Sequence, residues 1–523
     1  MAVKEIFYPV TIANFKKIRK EGFLYVDKTS YIHKLLQSKE SYFFLARPRR
    51  FGKSVLVSTM QEFFLGNRAL FKGLDIDSLR PQEWESYPVL RFDLSGNSYL
   101  DKADLDSALS DMMEGYEADY GISNSSSSST SSRFEKLIRA AFKNSGKHVV
   151  VLIDEYDSPL TAAFGNEELH EFFRQQLYGF YSVLKKMEEC IKFCFLTGVT
   201  RYGKVSVFSG LNNLEDISFL DDYAGICGIT EDELHSFYDE GIAQFAEEKS
   251  LQKEEVYSQL KFYYDGYHFT ESLLDIYNPY SLNRALKYRK IQDYWIESGT
   301  PSLFLKMLMN KDYDLDKLQG AVVSQSELSD LETYTSDPIA LFFQTGYLTL
   351  KQYSEEDQVF TLGYPNREVE SGILRNILKV YNPEDNGVSR ILLEMKKCLQ
   401  EGNPEEFINC LKTYFATIPP DLKVRVSRYE NYYHTVIYCL LTLLGLETKA
   451  EYVTAAGYID LTIHTPGYIY IIELKLNGTA SEAMAQIERK NYSAPFALDT
   501  RKLIRIAIGF SKEAQNITDH IIA

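Results

Sequence analysis

The chain has little cysteine, no membrane-length apolar run and no surplus of positive charge. Its six cysteines, Cys190, Cys194, Cys227, Cys398, Cys410 and Cys439, are scattered without a Cys-x-x-Cys pair. That excludes a zinc-ribbon or disulfide framework and leaves reduced thiols in a cytoplasmic protein as the expectation. The opening MAVKEIFYPV lacks the apolar core of a signal peptide. No apolar run reaches the roughly 20 residues of a membrane span, so no membrane partner is expected. His434–Leu446 is apolar but short, and reads as a buried helix. Lys and Arg total 57 against 73 Asp and Glu, a net charge of -16. A protein that coats nucleic acid non-specifically is usually basic, so that role is disfavoured. Residues 421–523 escape the acidity, with 11 Lys/Arg and 11 Asp/Glu. Any nucleic acid is therefore expected to dock there. No repeat of fixed period occurs.

What is present is enough for several cores. A chain of 523 residues exceeds one ordinary domain, and 45% hydrophobic with 25% charged residues is typical of a folded protein. The first part reads as strands alternating with helices: a strand over Ser41–Ala46, a helix over Lys53–Leu65, and continuously apolar strands over His148–Ile153 and Ile191–Thr197. Apolar runs of that kind are central parallel strands, so residues 5–230 are expected to form a doubly wound α/β domain. The serine-rich tract Asn124–Ser132 reads as a surface loop. Residues 231–405 read as mainly helical, with tyrosine-rich loops at Tyr263–Tyr267 and Tyr277–Tyr280 and a few strands within 340–362. Residues 406–523 give helices, three strands, a helix, a strand and a last helix, a second α/β unit.

The loop after Ala46 reads Arg47-Pro48-Arg49-Arg50-Phe51-Gly52-Lys53-Ser54. Gly52 lets the backbone approach phosphate, Lys53 offers a cation, the Ser54 hydroxyl can ligate Mg²⁺, and the helix start presents free N–H groups. Arg47 stands where a strict G-x-x-x-x-G-K-[ST] loop has its first glycine. The strand Val149–Ile153 runs into Asp154 and Glu155. There Asp154 can hold Mg²⁺ through water, and Glu155 can polarise an attacking water. Either element alone has an ordinary structural reading, a turn with a helix cap or a strand with a solvated end. Together, each after a strand, they point to a nucleotide. Thr197, ending the next strand, is a candidate γ-phosphate sensor, and Arg201 a candidate for transition-state charge.

In the last hundred residues, Tyr458–Ile463 reads as a strand bearing Asp460, and a turn at Thr465-Pro466-Gly467 leads to Tyr468–Leu476. Glu473 and Lys475 are two apart and share one face of that strand, with Asp460 brought alongside by the hairpin. Two hard oxygen donors suit Mg²⁺, with Mn²⁺ as the alternative, and the Ile472 and Leu474 carbonyls are also available, Leu474 being preferred because it lies between the two site side chains. Lys475 can activate water or stabilise a pentacoordinate phosphate. An E-x-K pair by itself is an ordinary surface pattern. The surroundings add weight: Glu430 and His434 lie one turn apart upstream, and Gln486 and Lys490 one turn apart downstream, with Tyr492 nearby. His434 and His268 read as structural.

On Tyr25–Thr29, Arg47–Ser54, Leu152–Asp157, Thr197–Arg201, Phe208–Asn213 and Tyr277–Ser281, residues 5–300 resemble the AAA-ATPase-like family of bacterial proteins. The resemblance implies a P-loop NTPase fold that binds ATP through Arg49, Arg50, Phe51, Gly52, Lys53 and Ser54, with the Arg47 departure shared by the family. Residues 410–515 resemble the PD-(D/E)XK nuclease superfamily. That implies an αβββαβ core with Asp460, Glu473 and Lys475 at its centre, Glu430 as an acid of the first helix, and Gln486 and Tyr492 as an accessory motif; Glu451 is a further acid. Such proteins often carry an arginine where this chain has Tyr458. The expectation is an ATP-binding, ATP-hydrolysing protein fused to a metal-dependent nuclease, acting on DNA in preference to RNA and compatible with a homo-oligomer. The rival is a nucleotide-switched scaffold with a nuclease-like domain that does not cut.

Overall fold

The computed structural model describes residues 5–80, 84–122, 129–202, 207–208, 211–298, 318–329, 338–381, 388–418, 432–454, 457–511, 513–514 and 516–523. It divides into two compact units, Met1–Ser298 with Gly320–Glu368, and Gly299–Gln319 with Val369–Ala523. The middle stretch 231–405 is thus shared between the units.

The first unit is built on strands β1 (Tyr42–Ala46), β2 (Val89–Asp93), β3 (Val149–Asp154), β4 (Ile191–Gly198) and β5 (Glu215–Asp216), in the order β2-β3-β4-β1-β5. Every neighbouring pair is parallel. All six residues of β3 are buried, as an apolar, β-branched run covered on both faces must be. Helix α1 (Lys53–Phe64) follows β1 through the phosphate loop. Helices Thr130–Ser145 and Glu167–Lys186 bury residues spaced three and four apart, among them Phe134, Leu137, Phe173 and Phe180. Phe134 stacks on Phe180 at 4.4 Å, and Phe92 of β2 meets both edge-on. The end of the expected serine-rich loop is helix instead, from Thr130 onward. Residues 123–128 lie outside the described residues, but Ser129 caps the helix that starts at Thr130 by accepting from the Ser132 N–H.

The middle residues add a ribbon of β6 (Ile229–Thr230) with β7 (Ile276–Tyr277), and an antiparallel sheet β8-β10-β9 from β8 (Val322–Ser324), β9 (Thr349–Ser354) and β10 (Val359–Gly363). His268 is structural, as expected: its ring nitrogens meet the Leu350 carbonyl at 2.6 Å and Asp275 at 2.7 Å. Asn278 caps helix Pro279–Tyr288 by accepting from Tyr280 and Ser281.

Helix α2 spans Arg367–Tyr381. Its Glu368 is fully buried and accepts from the Trp295 N–H at 2.5 Å. Burial pushes this carboxyl up to about 8. The folded state therefore keeps a proton that the unfolded chain has lost, so this group's stabilisation falls as pH rises from the usual carboxylate range to about 8 and then levels off. Glu368→Gln removes that loss. Its melting temperature relative to wild type is expected to climb across the same window in a thermal-melt series; a difference independent of pH would refute the assignment.

The second unit contains helices Val388–Glu401 and Pro404–Thr417, then α3 (Tyr432–Leu443), β11 (Glu447–Thr454), β12 (Gly457–His464), β13 (Tyr468–Leu476), α4 (Ala480–Arg489), β14 (Lys502–Ser511) and β15 (Asn516–Ile522). The sheet runs β11-β12-β13-β14-β15 and is antiparallel except for β13 with β14, whose crossover is α4. This is the expected αβββαβ order. The expected last helix is instead β15: Ile517, Thr518, Ile521 and Ile522 favour an extended edge, and Ile522 pairs with Ile506.

Candidate functional site

At the carboxyl ends of the parallel strands, the chain leaves β1 at Ala46 and turns with Arg50 (φ 67°) and Gly52 (φ 94°) in the left-handed region. Lys53 opens α1 and is buried; its ammonium lies 3.1 Å from the Pro48 carbonyl and 3.3 Å from Glu155 Oε1. Asp154 ends β3 fully buried, and neither carboxylate oxygen meets a donor at hydrogen-bond geometry. Burial pushes its carboxyl up to about 6, helped by the charges of Glu155 and Asp93 and opposed by Lys53 and the Ser54 hydroxyl. A buried acid without a donor, next to a lysine, a hydroxyl and a free helix start, fits the phosphates and Mg²⁺ of a nucleotide.

Two candidates are spent on the fold. The buried Thr197 hydroxyl donates to the Leu45 carbonyl at 2.8 Å, tying β4 to β1. Arg201 binds Asp216 at 2.5 Å and Ser329 at 2.9 Å, and lies over the Phe219 ring. Arg47 is also turned inward. Its guanidinium donates to the carbonyls of Ala46, Ser218 and Tyr223, sits 4.3 Å from the Phe269 ring centre, and is pushed down to about 10 by burial. A side chain directed away from the loop explains how arginine stands at a glycine position. Arg49 and Arg50 are exposed, and Phe51 is buried.

The second centre forms where β12 and β13 part. Their ladder ends at Leu461 with Ile472. Asp460 and Glu473 come next in register, and there the Leu474 N–H donates to Asp460 Oδ2 at 2.8 Å. β14 still pairs with Glu473, Leu474 and Lys475, so this end of β13 is held rigidly. Glu473 is fully buried; Oε1 meets Lys475 Nζ at 3.1 Å, and Oε2 has no partner. Burial first, then the Asp460 charge, pushes its carboxyl up to about 7 against the pull of Lys475. Two adjacent carboxylates, one with an orphaned buried oxygen, fit a hard divalent cation. Glu430 lies outside the described residues, and the side chains of His434 and Glu451 do too. Among the described residues, no three acidic, His or Cys side chains assemble into a metal-holding group. Gln486 lies 3.4 Å from the Tyr492 hydroxyl, which donates to the Tyr458 carbonyl at 2.5 Å. Both therefore hold the start of β12, two residues before Asp460.

Residues 9–208 match the family described as "Predicted AAA-ATPase", and residues 428–520 match the PD-(D/E)XK nuclease superfamily. An "uncharacterized protein in vnfD 5'region" of Azotobacter chroococcum mcd 1 is 32% identical over 523 residues, with 98% of each chain covered. The chain belongs to this AAA-ATPase-like family. It joins an ATP-binding fold to a nuclease-like fold. The solved structure of the Aeropyrum pernix ORC1 protein in complex with DNA is 11% identical, covering 67% of this chain and 91% of that one, with a TM-score of 0.22. A likeness that weak carries no argument. Among the described residues no helix is long and apolar enough to cross a membrane. The family signature Phe208–Asn213 includes Ser209 and Gly210, which lie outside the described residues.

Two site residues were missed in the sequence. Asp93 pairs in register with Asp154, and Arg91 reaches within 3.8 Å of Asp154 while donating to Gln61 of α1 at 3.1 Å. The signal was available, since Val89-Leu90-Arg91-Phe92-Asp93 is an apolar strand interrupted by two charges at its carboxyl end.

Proposed function

We propose that this protein is an ATP-controlled, metal-dependent nuclease acting on DNA. The observation that supports it most is Glu473: a buried carboxyl with an orphaned oxygen, set between Asp460 and Lys475 at a splayed strand end. Mg²⁺ held by Asp460, Glu473 and the Leu474 carbonyl would neutralise phosphate charge and activate water there. Lys475 faces the same point with part of its side chain in solvent, and its ammonium would stabilise the negative charge that builds on the phosphoryl oxygens. Tyr492 and Gln486 keep β12, and with it Asp460, in place.

In the first unit, Lys53, now paired with Glu155, would bind the β- and γ-phosphates of ATP, which would free Glu155 to orient water. Asp154 and Ser54 would hold Mg²⁺ there. Lys53→Ala is therefore expected to lower ATP affinity at least tenfold in calorimetric titration, and to uncouple cleavage from ATP. Cleavage that responds to ATP equally in both proteins would reject control by this loop. The second reading, binding without turnover, is favoured by Thr197 and Arg201, both committed to internal contacts.

A further inference from the structure

The tyrosine-rich segments at 263–269 and 277–280 take no part in either reaction above, yet they lie against the phosphate loop. Each residue from Arg47 to Phe51 meets a residue of the middle segment. Arg47 lies over Phe269, Pro48 against Gly346, Arg50 over Tyr280, and Phe51 edge-on to Tyr267 and Phe269. The Gly346 contact is close: an added Cβ would stand 2.8 Å from the Pro48 ring. Arg49 is met through its backbone, its carbonyl accepting from the Trp295 indole N–H at 3.0 Å.

A loop that cradles phosphate must turn its N–H groups toward the anion and its carbonyls away from it. Three carbonyls here are held by named donors: Pro48 by Lys53, Arg49 by Trp295, and Phe51 by the Gly228 N–H at 3.0 Å. Lys53 must leave its carbonyl when it meets phosphate. Trp295 need not. Trp295 is itself fixed, with its own N–H donating to the buried Glu368 and its ring packed edge-on to Tyr347 at 5.4 Å.

We infer that Trp295 is a positioning residue for nucleotide binding, holding the Arg49 carbonyl outward so that the loop's N–H groups face phosphate. The inference rests on the reading of Arg47–Ser54 as a nucleotide site. The test is ATP affinity of Trp295→Phe, which keeps an aromatic ring but loses the donor. The full-length variant is expected to stay folded at assay temperature, with a lowered melting temperature, and to bind ATP about fivefold more weakly, the worth of one hydrogen bond. Glu368→Gln, which keeps an acceptor for the Trp295 N–H, is expected to bind as wild type does. A spectroscopic readout is independent of this. The chain has two tryptophans, so subtracting the Trp295→Phe emission from wild type isolates Trp295, whose signal is expected to change on adding ATP. Wild-type affinity in Trp295→Phe, or a Trp295 signal indifferent to saturating ATP, would overturn the inference while leaving the nucleotide site standing. Failure of the wild-type protein to bind ATP at all would overturn both.

Discussion

Lys475→Ala is expected to reduce metal-dependent cleavage by at least about a hundredfold, the loss typical of removing one preorganised donor to transition-state charge. The folded structure should survive. The Lys475 side chain is about one-third exposed, and β13 is held at that point by main-chain pairing with β14 rather than by the lysine. A second consequence distinguishes this lysine from a passive surface charge. Lys475 opposes the upward push on Glu473, so its removal raises that carboxyl further and weakens metal binding near neutral pH. Raising the pH ionises Glu473 and restores metal uptake, but it cannot restore the missing cation. The variant should therefore recover metal binding at high pH without recovering cleavage. Calorimetry and a gel-based cleavage assay at matched pH values separate the two effects. Cleavage that returns together with metal binding would limit Lys475 to tuning Glu473.

Most of the architecture could be read from local pattern. Continuously apolar segments such as Val149–Asp154 have few alternatives to a buried parallel strand, and Gly52-Lys53-Ser54 after such a strand marks a helix start at an anion site. The turn at Thr465-Pro466-Gly467 and the alternation along Tyr468–Leu476 marked the β12–β13 hairpin in the same way. What escaped was set by contacts distant in sequence. Nothing local shows that Thr197 will donate to Leu45, 152 residues away, or that Arg201 will be engaged by Asp216 and Ser329. Arg47 is the sharpest case. Its sequence position suggests a damaged phosphate loop, whereas Phe269 and the carbonyls of Ser218 and Tyr223 draw it inward and leave the loop's shape intact. The tyrosine-rich segments were equally opaque, because their partners lie more than two hundred residues earlier in the chain.

Metal uptake at the second centre is expected to release a proton and to strengthen with pH. Glu473 is raised to about 7 because its buried charge is poorly solvated and faces Asp460. A raised carboxyl stabilises the metal-free fold most at low pH; that contribution fades as pH climbs from the ordinary carboxylate range to about 7. A bound cation reverses the preference, since it binds the ionised form. Below about 7, affinity for Mg²⁺ or Mn²⁺ should therefore rise toward tenfold per pH unit, and above that value it should level off. Added metal should protect against thermal unfolding more strongly at pH 8 than at pH 6, by the same linkage. Glu473→Gln cannot ionise, so it should bind metal weakly at every pH and release no proton. Asp154, raised only to about 6, belongs to the nucleotide site of the first unit. Metal uptake there depends on nucleotide, so measurements without ATP isolate Glu473. A pH-independent affinity that Glu473→Gln leaves intact would place the cation elsewhere and remove the basis for a nuclease centre at this strand end.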